Sequence, residues 1–248
     1  MRDTQAIIER VSRLSDSVQR LHLAVDDSLL QIKPGQSLLA RVLPERWDPY
    51  LREQWWPVGI LEGQLVVERP GNLGYEPGQA VSLLAPVGQP FRYKRNLRNV
   101  LLIADHALPI PLLMAVPALI GNRVSVTLVL AGMEARRYPT QVLPPEVEVI
   151  HADDDLGWPK QVMTFGWADQ IFVVVSADDE MGRMQRLWTR IRELRAEIPQ
   201  YYLFAVAQPI LPCGAGACGA CLVALREGAV CTVCLDGPAI DMTKLPFE

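Results

Sequence analysis

All five cysteines of this 248-residue chain fall between Cys213 and Cys234. The first three, Cys213, Cys218 and Cys221, are spaced C-x4-C-x2-C, and Cys231 and Cys234 follow them. That is the spacing of a plant-type [2Fe–2S] site, which takes four thiolates. Every residue between the first three cysteines is Gly or Ala. A loop that wraps two irons must bring its amide N–H groups up to sulfur, and bulky side chains would obstruct the approach. A free thiol keeps its proton to about pH 8.5, and coordination supplies the deprotonation. A disulfide framework fits poorly, because the count is odd and about 212 residues precede the first cysteine.

A second metal reading uses the same residues. Cys218-x2-Cys221 and Cys231-x2-Cys234 could hold a tetrahedral structural zinc, which would leave Cys213 without a role. The iron–sulfur reading also leaves one cysteine spare, Cys231 or Cys234. Residue counts do not separate the two; the Gly/Ala-only loop favours the cluster. Five unligated thiols packed into so short a stretch is the weakest account.

Other reactive residue types offer less. His22 and His151 have no cysteine near in sequence, and His106 reads as a turn residue, so none is assigned a metal. Asp153-Asp154-Asp155 reads as a solvated acidic loop. Trp55 and Trp56 are adjacent, so on a strand they point to opposite faces; core or an interface is expected.

The elements that must position the cysteines come in two styles. Over the first hundred residues, Ala6 to Leu14 and Val18 to Val25 alternate apolar and polar residues around a Ser15-Asp16-Ser17 turn. Pro34-Gly35-Gln36 and Pro77-Gly78-Gln79 are turns feeding the apolar runs Ser37 to Leu43 and Ala80 to Ala85. Short strands with Pro/Gly turns predict a small antiparallel β-barrel or sandwich. From Asn99 the rhythm changes. Strands are expected at 99–104, 123–131, 146–151, 170–176 and 201–207, with helices at 109–121 and 178–198. In the second helix, Met181, Met184, Leu187, Trp188, Ile191 and Leu194 recur at helical spacing, and Asp178, Asp179 and Glu180 suit its N-terminus. Such alternation predicts a parallel sheet with helices on its faces. The fold class is therefore a β-barrel lobe, a parallel α/β lobe and a C-terminal [2Fe–2S] cysteine module, divided as 1–97, 98–210 and 211–248.

With these residues in view, the chain resembles a known family. Pro212 to Cys221, followed by Val233-Cys234-Leu235-Asp236-Gly237-Pro238, is similar to the cluster-binding region of the electron-transfer subunit of class B dihydroorotate dehydrogenases, within the ferredoxin–NADP reductase-like superfamily. The resemblance implies Cys213, Cys218, Cys221 and Cys234 as ligands, with Cys231 spare. It also implies an FAD-binding barrel, a nicotinamide-binding α/β lobe and the cluster tail, in that order. Ala80 to Phe91 is similar to the segment that closes the family's barrel.

Two of the family's signatures are altered. Its flavin motif R-P-x-S falls on Trp56-Pro57-Val58-Gly59, so a tryptophan replaces the arginine that would meet the FAD pyrophosphate, and a glycine replaces the serine. These four residues are expected to border FAD, with Arg52 near in sequence as a substitute cation. A pyrophosphate loop is shortened to 69–74. The glycine-rich turn of the nicotinamide site is replaced by Ala104-Asp105-His106-Ala107-Leu108-Pro109-Ile110-Pro111, which puts a carboxylate where phosphate should lie. The segment that would approach the nicotinamide reads Ser176-Ala177-Asp178. NAD(P) is not expected to bind.

Composition sets the remaining bounds. Lys plus Arg number 24 and Asp plus Glu 28, a net charge of −4 that gives no general attraction to nucleic acid. The longest uncharged apolar stretch, Ala107 to Gly121, carries three prolines and is too short for a bilayer span of about 20 residues. The N-terminus lacks the apolar core of a secretory signal, so a cytoplasmic protein is expected. Two readings of function stand. The first is an electron-transfer subunit passing single electrons through the cluster, with FAD if retained; the resemblance implies a flavoprotein catalytic subunit as partner and a place in pyrimidine biosynthesis. The second is a non-catalytic docking or regulatory subunit with a metal-stabilised tail.

Overall fold

A computed structural model describes residues 1–43 and 51–247. The first lobe is one curled antiparallel sheet of seven strands: β1 (Arg2–Arg13), β2 (Val18–Ala24), β3 (Ser37–Val42), β4 (Glu53–Trp55), β5 (Pro57–Leu61), β6 (Gln64–Pro70) and β7 (Ala80–Val87), in the order β4-β3-β7-β1-β2-β6-β5. Strict alternation along β7 buries Val81, Leu83, Ala85 and Val87 and leaves the residues between them half-buried, the mark of a strand with one face on a core. The two outermost strands, β4 and β5, follow one another in the chain through Trp56, so the covalent backbone closes the curl. The expected turn at 15–17 is present, with the Ser15 hydroxyl accepting from the amides of Ser17 and Val18, both at 3.2 Å.

The second lobe is a six-stranded sheet made of β8 (Asn99–Asp105), β9 (Ser125–Ala131), β10 (Val147–Ala152), β11 (Gln170–Val175), β12 (Leu203–Val206) and β15 (Ala239–Asp241), ordered β10-β9-β8-β11-β12-β15. The first five are parallel, and β15 joins β12 antiparallel. β11 is buried throughout and β8 nearly so, as expected where both faces of a parallel sheet are covered. One face packs under α1 (Ile110–Leu113) and α2 (Ala115–Gly121). The other packs under α4 (Gln161–Trp167) and α5 (Glu180–Leu194), and α3 (Gly132–Arg136) follows β9. The helix expected over 109–121 is two short helices broken at Met114. Pro117 has no N–H to return to the Leu113 carbonyl, so a continuous helix loses a bond there. On α5 the stripe Met184, Leu187, Trp188 and Ile191 is buried, while Met181 is exposed.

The lobes are joined by aromatic packing. Phe91, just after β7, stacks on Phe172 of β11 with centroids 4.7 Å apart, and Phe172 stacks on Phe204 of β12 at 5.2 Å. Trp55 is buried in the barrel core and Trp56 in the core beneath α1 and α2, on opposite sides as strand alternation requires. Among the described residues no helix is long and apolar enough to cross a membrane.

Candidate metal centre and the interlobe cleft

The cysteines lie in an excursion between β12 and β15. It carries the hairpin β13 (Leu222–Ala224) and β14 (Val230–Thr232), then the single turn α6 (Val233–Asp236). Both lobes hold it. Gly88 N–H donates to the Cys234 carbonyl at 3.1 Å and Gln89 N–H to the Gly237 carbonyl at 2.6 Å, both from the end of β7. Ala207 N–H donates to the Pro238 carbonyl at 3.0 Å. Gly214 is buried with φ +63° against Leu39, Leu84 and Val87 of the barrel, and a Cβ there would stand 2.8 Å from Leu39 Cδ1. Only glycine gives that backbone angle and that approach without strain.

The thiols neighbour one another: Cys213 lies by Cys218, and Cys234 feels both Cys221 and Cys213. Val233 N–H donates to the Cys221 carbonyl at 3.1 Å across the hairpin. Amides face the sulfurs: Ala215 N–H lies 3.4 Å from Cys213 Sγ, and Gly216 N–H lies 3.1 Å from Cys234 Sγ. These donors, Ala215 first and then Cys218, pull the Cys213 thiol down to about 6. Burial, then the neighbouring Cys221, pushes Cys234 up to about 11. Cys231 also neighbours Cys221. It lies on β14 opposite Val223, buried within the α/β core, and burial followed by the Asp236 carboxylate pushes it up to about 11.

Two sulfurs for each iron is the demand of a [2Fe–2S] cluster, whereas tetrahedral zinc takes four around one point. Among the described residues no three Cys, His, Asp or Glu side chains converge on one metal position. The thiol donor set, its Gly/Ala-only C-x4-C-x2-C loop and the N–H groups aimed at sulfur fit a two-iron cluster.

A cleft of about 590 Å³ separates the lobes. Its barrel wall carries Arg52, Trp56, Glu68 and Arg69; its α/β wall carries His106, Pro111, Glu134 and Asp178. The volume is that of a cofactor site. Arg52 Nη2 donates to Asp3 at 2.9 Å and to Ser82 at 2.8 Å, while its Nε is buried with no partner among the described residues. Two guanidinium groups on the wall of such a cleft, Arg52 and Arg69, suit a phosphate-bearing cofactor, so FAD is compatible with the residues present. The four positions of the altered flavin motif are split. Trp56 lines this cleft, Pro57 is buried, and Val58 and Gly59 line a smaller cavity of about 220 Å³ against α1 and α2. Glu68 borders both cavities. It is paired with Arg20 at 2.6 Å, and burial raises its carboxyl above the usual range.

The other singled-out residues are accounted for locally. His22 is buried and bonded to Arg10 and Gln64, and burial lowers its pKa. His106 occupies a turn at φ +53° with Nδ1 2.7 Å from Asp105. Asp153 accepts from the amides of Asp155 and Gly157 within its loop. Sequence reasoning missed Arg20, Glu68, Arg69 and Arg183, whose partners lie far off in the chain and leave no local pattern.

Comparison with known proteins adds a family and a fold. Residues 208–246 match the iron–sulfur cluster binding domain of dihydroorotate dehydrogenase B. The match is confined to the cysteine-bearing tail. No curated protein matches the chain. Among solved structures, a chain of an NADH-dependent reduced ferredoxin–NADP oxidoreductase described for flavin-based electron bifurcation superposes with a TM-score of 0.74 at 19% identity, covering 98% of this chain and 90% of that one. Phthalate dioxygenase reductase, described as a modular structure for electron transfer from pyridine nucleotides to [2Fe–2S], gives 0.59 at 12% identity over 95% of each chain. The ferredoxin reductase of carbazole 1,9a-dioxygenase gives 0.59 at 15% over 82% of this chain and 68% of that one. At these identities the likeness is one of fold. An iron–sulfur tail on a reductase-like pair of lobes bears out the resemblance drawn from the sequence.

Proposed function

We propose that this chain is the iron–sulfur electron-transfer subunit of an oxidoreductase complex, passing single electrons to or from a flavoprotein catalytic subunit. The observation that carries the reading is the tail of residues 208–246, which matches a cluster-binding domain and directs backbone N–H groups at its cysteine sulfurs. Cys213, Cys218, Cys221 and Cys234 would hold the cluster, and Cys231 packs the hairpin. When bound, the cluster supplies a one-electron carrier with a potential near −400 mV for its type, adjusted by hydrogen bonds and burial.

The chain's own residues set those conditions. Ala215 and Gly216 place N–H groups against the sulfurs and stabilise their negative charge. Cys218 and its neighbours Gly219 and Ala220 are exposed, so an electron has a short path to a docked partner. Cys221 and Cys234 are buried, which excludes water from their side of the cluster. In the interlobe cleft, Trp56 would border FAD and Arg52 would lie on the side of its pyrophosphate; the flavin would couple two-electron to one-electron traffic. Residues 1–97, 98–210 and 211–248 divide the labour into flavin lobe, α/β lobe and cluster module.

Iron, acid-labile sulfide, zinc and flavin measured on one anaerobic preparation test the reading. Two irons and two sulfides per chain, with visible bands that dithionite bleaches, are expected; colourless protein with one zinc overturns it. Cys234→Ser is expected to abolish cluster assembly and Cys231→Ser to leave it intact, and equal loss in both refutes the ligand assignment.

A further inference from the structure

In an open α/β sheet, ligands bind outside the carboxyl ends of the strands where the strand order reverses. Here the reversal falls between β8 and β11, and the crevice beyond it is bordered by His106, Ala107, Leu108, Ile110, Pro111 and residues 176–178, with Asp105 buried directly behind His106. A dinucleotide needs free amides and bare, uncharged backbone at that place. This crevice offers the opposite. His106 N–H is spent on the Ala131 carbonyl at 2.8 Å, Ser176 N–H on Asp105 at 3.0 Å, and Leu112 N–H on Pro109 at 2.8 Å. Pro109 and Pro111, at the start of α1, have no N–H to give.

A buried carboxylate fixes the residue that fills the crevice. Asp105, the last residue of β8, is 3% exposed, with Oδ1 2.7 Å from His106 Nδ1 and 3.6 Å from Arg183. That pairing holds the carboxylate at the strand end. The His106 ring lies so close to Gly132 that a Cβ there would be 2.6 Å away, so the ring fills the space over the end of β9. Glu134 and Asp178 place two carboxylates on the crevice wall.

We propose that Asp105 and His106 are specificity-determining residues that close this crevice to dinucleotide diphosphates, so that reducing equivalents reach the chain from a protein partner rather than from a nicotinamide cofactor. The proposal rests on the electron-transfer reading and names the class of its electron source. The Arg52 side of the cleft, on the barrel wall, is untouched by the block.

The test uses the full chain carrying its cluster and titrates ADP-ribose, NADH and NADPH by calorimetry. Wild type is expected to show no saturable binding below about 1 mM. Asp105→Gly/His106→Gly is expected to bind ADP-ribose at least about tenfold more tightly, and Asp105→Asn, which keeps the turn, to move the same way. The gain should shrink as salt is raised. Micromolar binding of NADH by wild type overturns the proposal, as does the absence of any gain in Asp105→Asn together with the double variant. If the double variant does not fold, the Asp105→Asn titration decides. The visible spectrum of the same samples reports the cluster separately, so its loss counts against the electron-transfer reading and not against the crevice.

Discussion

Gly214→Ala puts a methyl group where the cluster loop meets the barrel. Two costs add. Alanine in the left-handed region costs about 1–2 kcal/mol. The new Cβ would stand 2.8 Å from Leu39 Cδ1, 3.5 Å from Val87 Cγ2 and 3.6 Å from Leu84 Cδ2, and Leu39 is only 1% exposed. Overpacking of that kind costs about 1–3 kcal/mol. Gly228→Ala is the matched control, because Gly228 has φ +74° and a Cβ there meets nothing within 4 Å. The difference between the variants therefore isolates the packing, about 1–3 kcal/mol, or roughly 5- to 150-fold in the equilibrium that lifts the loop from the barrel. The assay is cluster loss to an iron chelator, followed by bleaching of the visible bands, with circular dichroism confirming both lobes. Gly214→Ala should lose its cluster faster by a factor in that range. Equal rates for the two alanine variants would show that the loop does not lean on the barrel through this residue.

Two other expectations concern reactivity and core strength. In chain stripped of metal, Cys213 should be alkylated first of the five thiols. Its folded value near 6 means the thiolate is already formed at neutral pH, so its rate should rise through about pH 6 and flatten above it. Iodoacetamide labelling mapped by mass from about pH 5 to about pH 9 checks this, and a rise still centred near 8.5 sinks it. Phe172 is fully buried between Phe91 and Phe204, so Phe172→Ala should cost about 3–5 kcal/mol. For a chain of this size that lowers Tm by about 6–20 °C, and a drop below about 3 °C in calorimetry would contradict the picture of one stack joining the lobes.

Much of this architecture is written locally. The period-two pattern of Ala80 to Val87, the apolar runs at 99–105 and 170–175, and the stripe on α5 each state their element, because a side chain's fate there depends on its immediate neighbours. Three of the candidate centre's donors were equally legible, since Cys213, Cys218 and Cys221 lie in a Gly/Ala-only loop, while residue counts left the fourth open between Cys231 and Cys234. What stayed hidden depends on distance in the chain. Nothing near Glu68 announces Arg20, nothing near Asp105 announces Arg183, and the join of β15 to β12 brings residue 204 beside residue 241. The break at Met114 was readable in principle from Pro117, but the apolar run around it masks a chain that cannot keep its ladder of hydrogen bonds.

β12 and β15 would form an ordinary hairpin but for the stretch from 207 to 238, which leaves one and returns to the other. Its two feet stand side by side, bridged by the bond from Ala207 to Pro238. Lengthening a loop whose ends already meet adds little closure entropy. The redox segment is thus a removable cartridge: a tight turn spliced in its place should leave both lobes standing, and a foreign metal loop with matching ends should plug into the same socket.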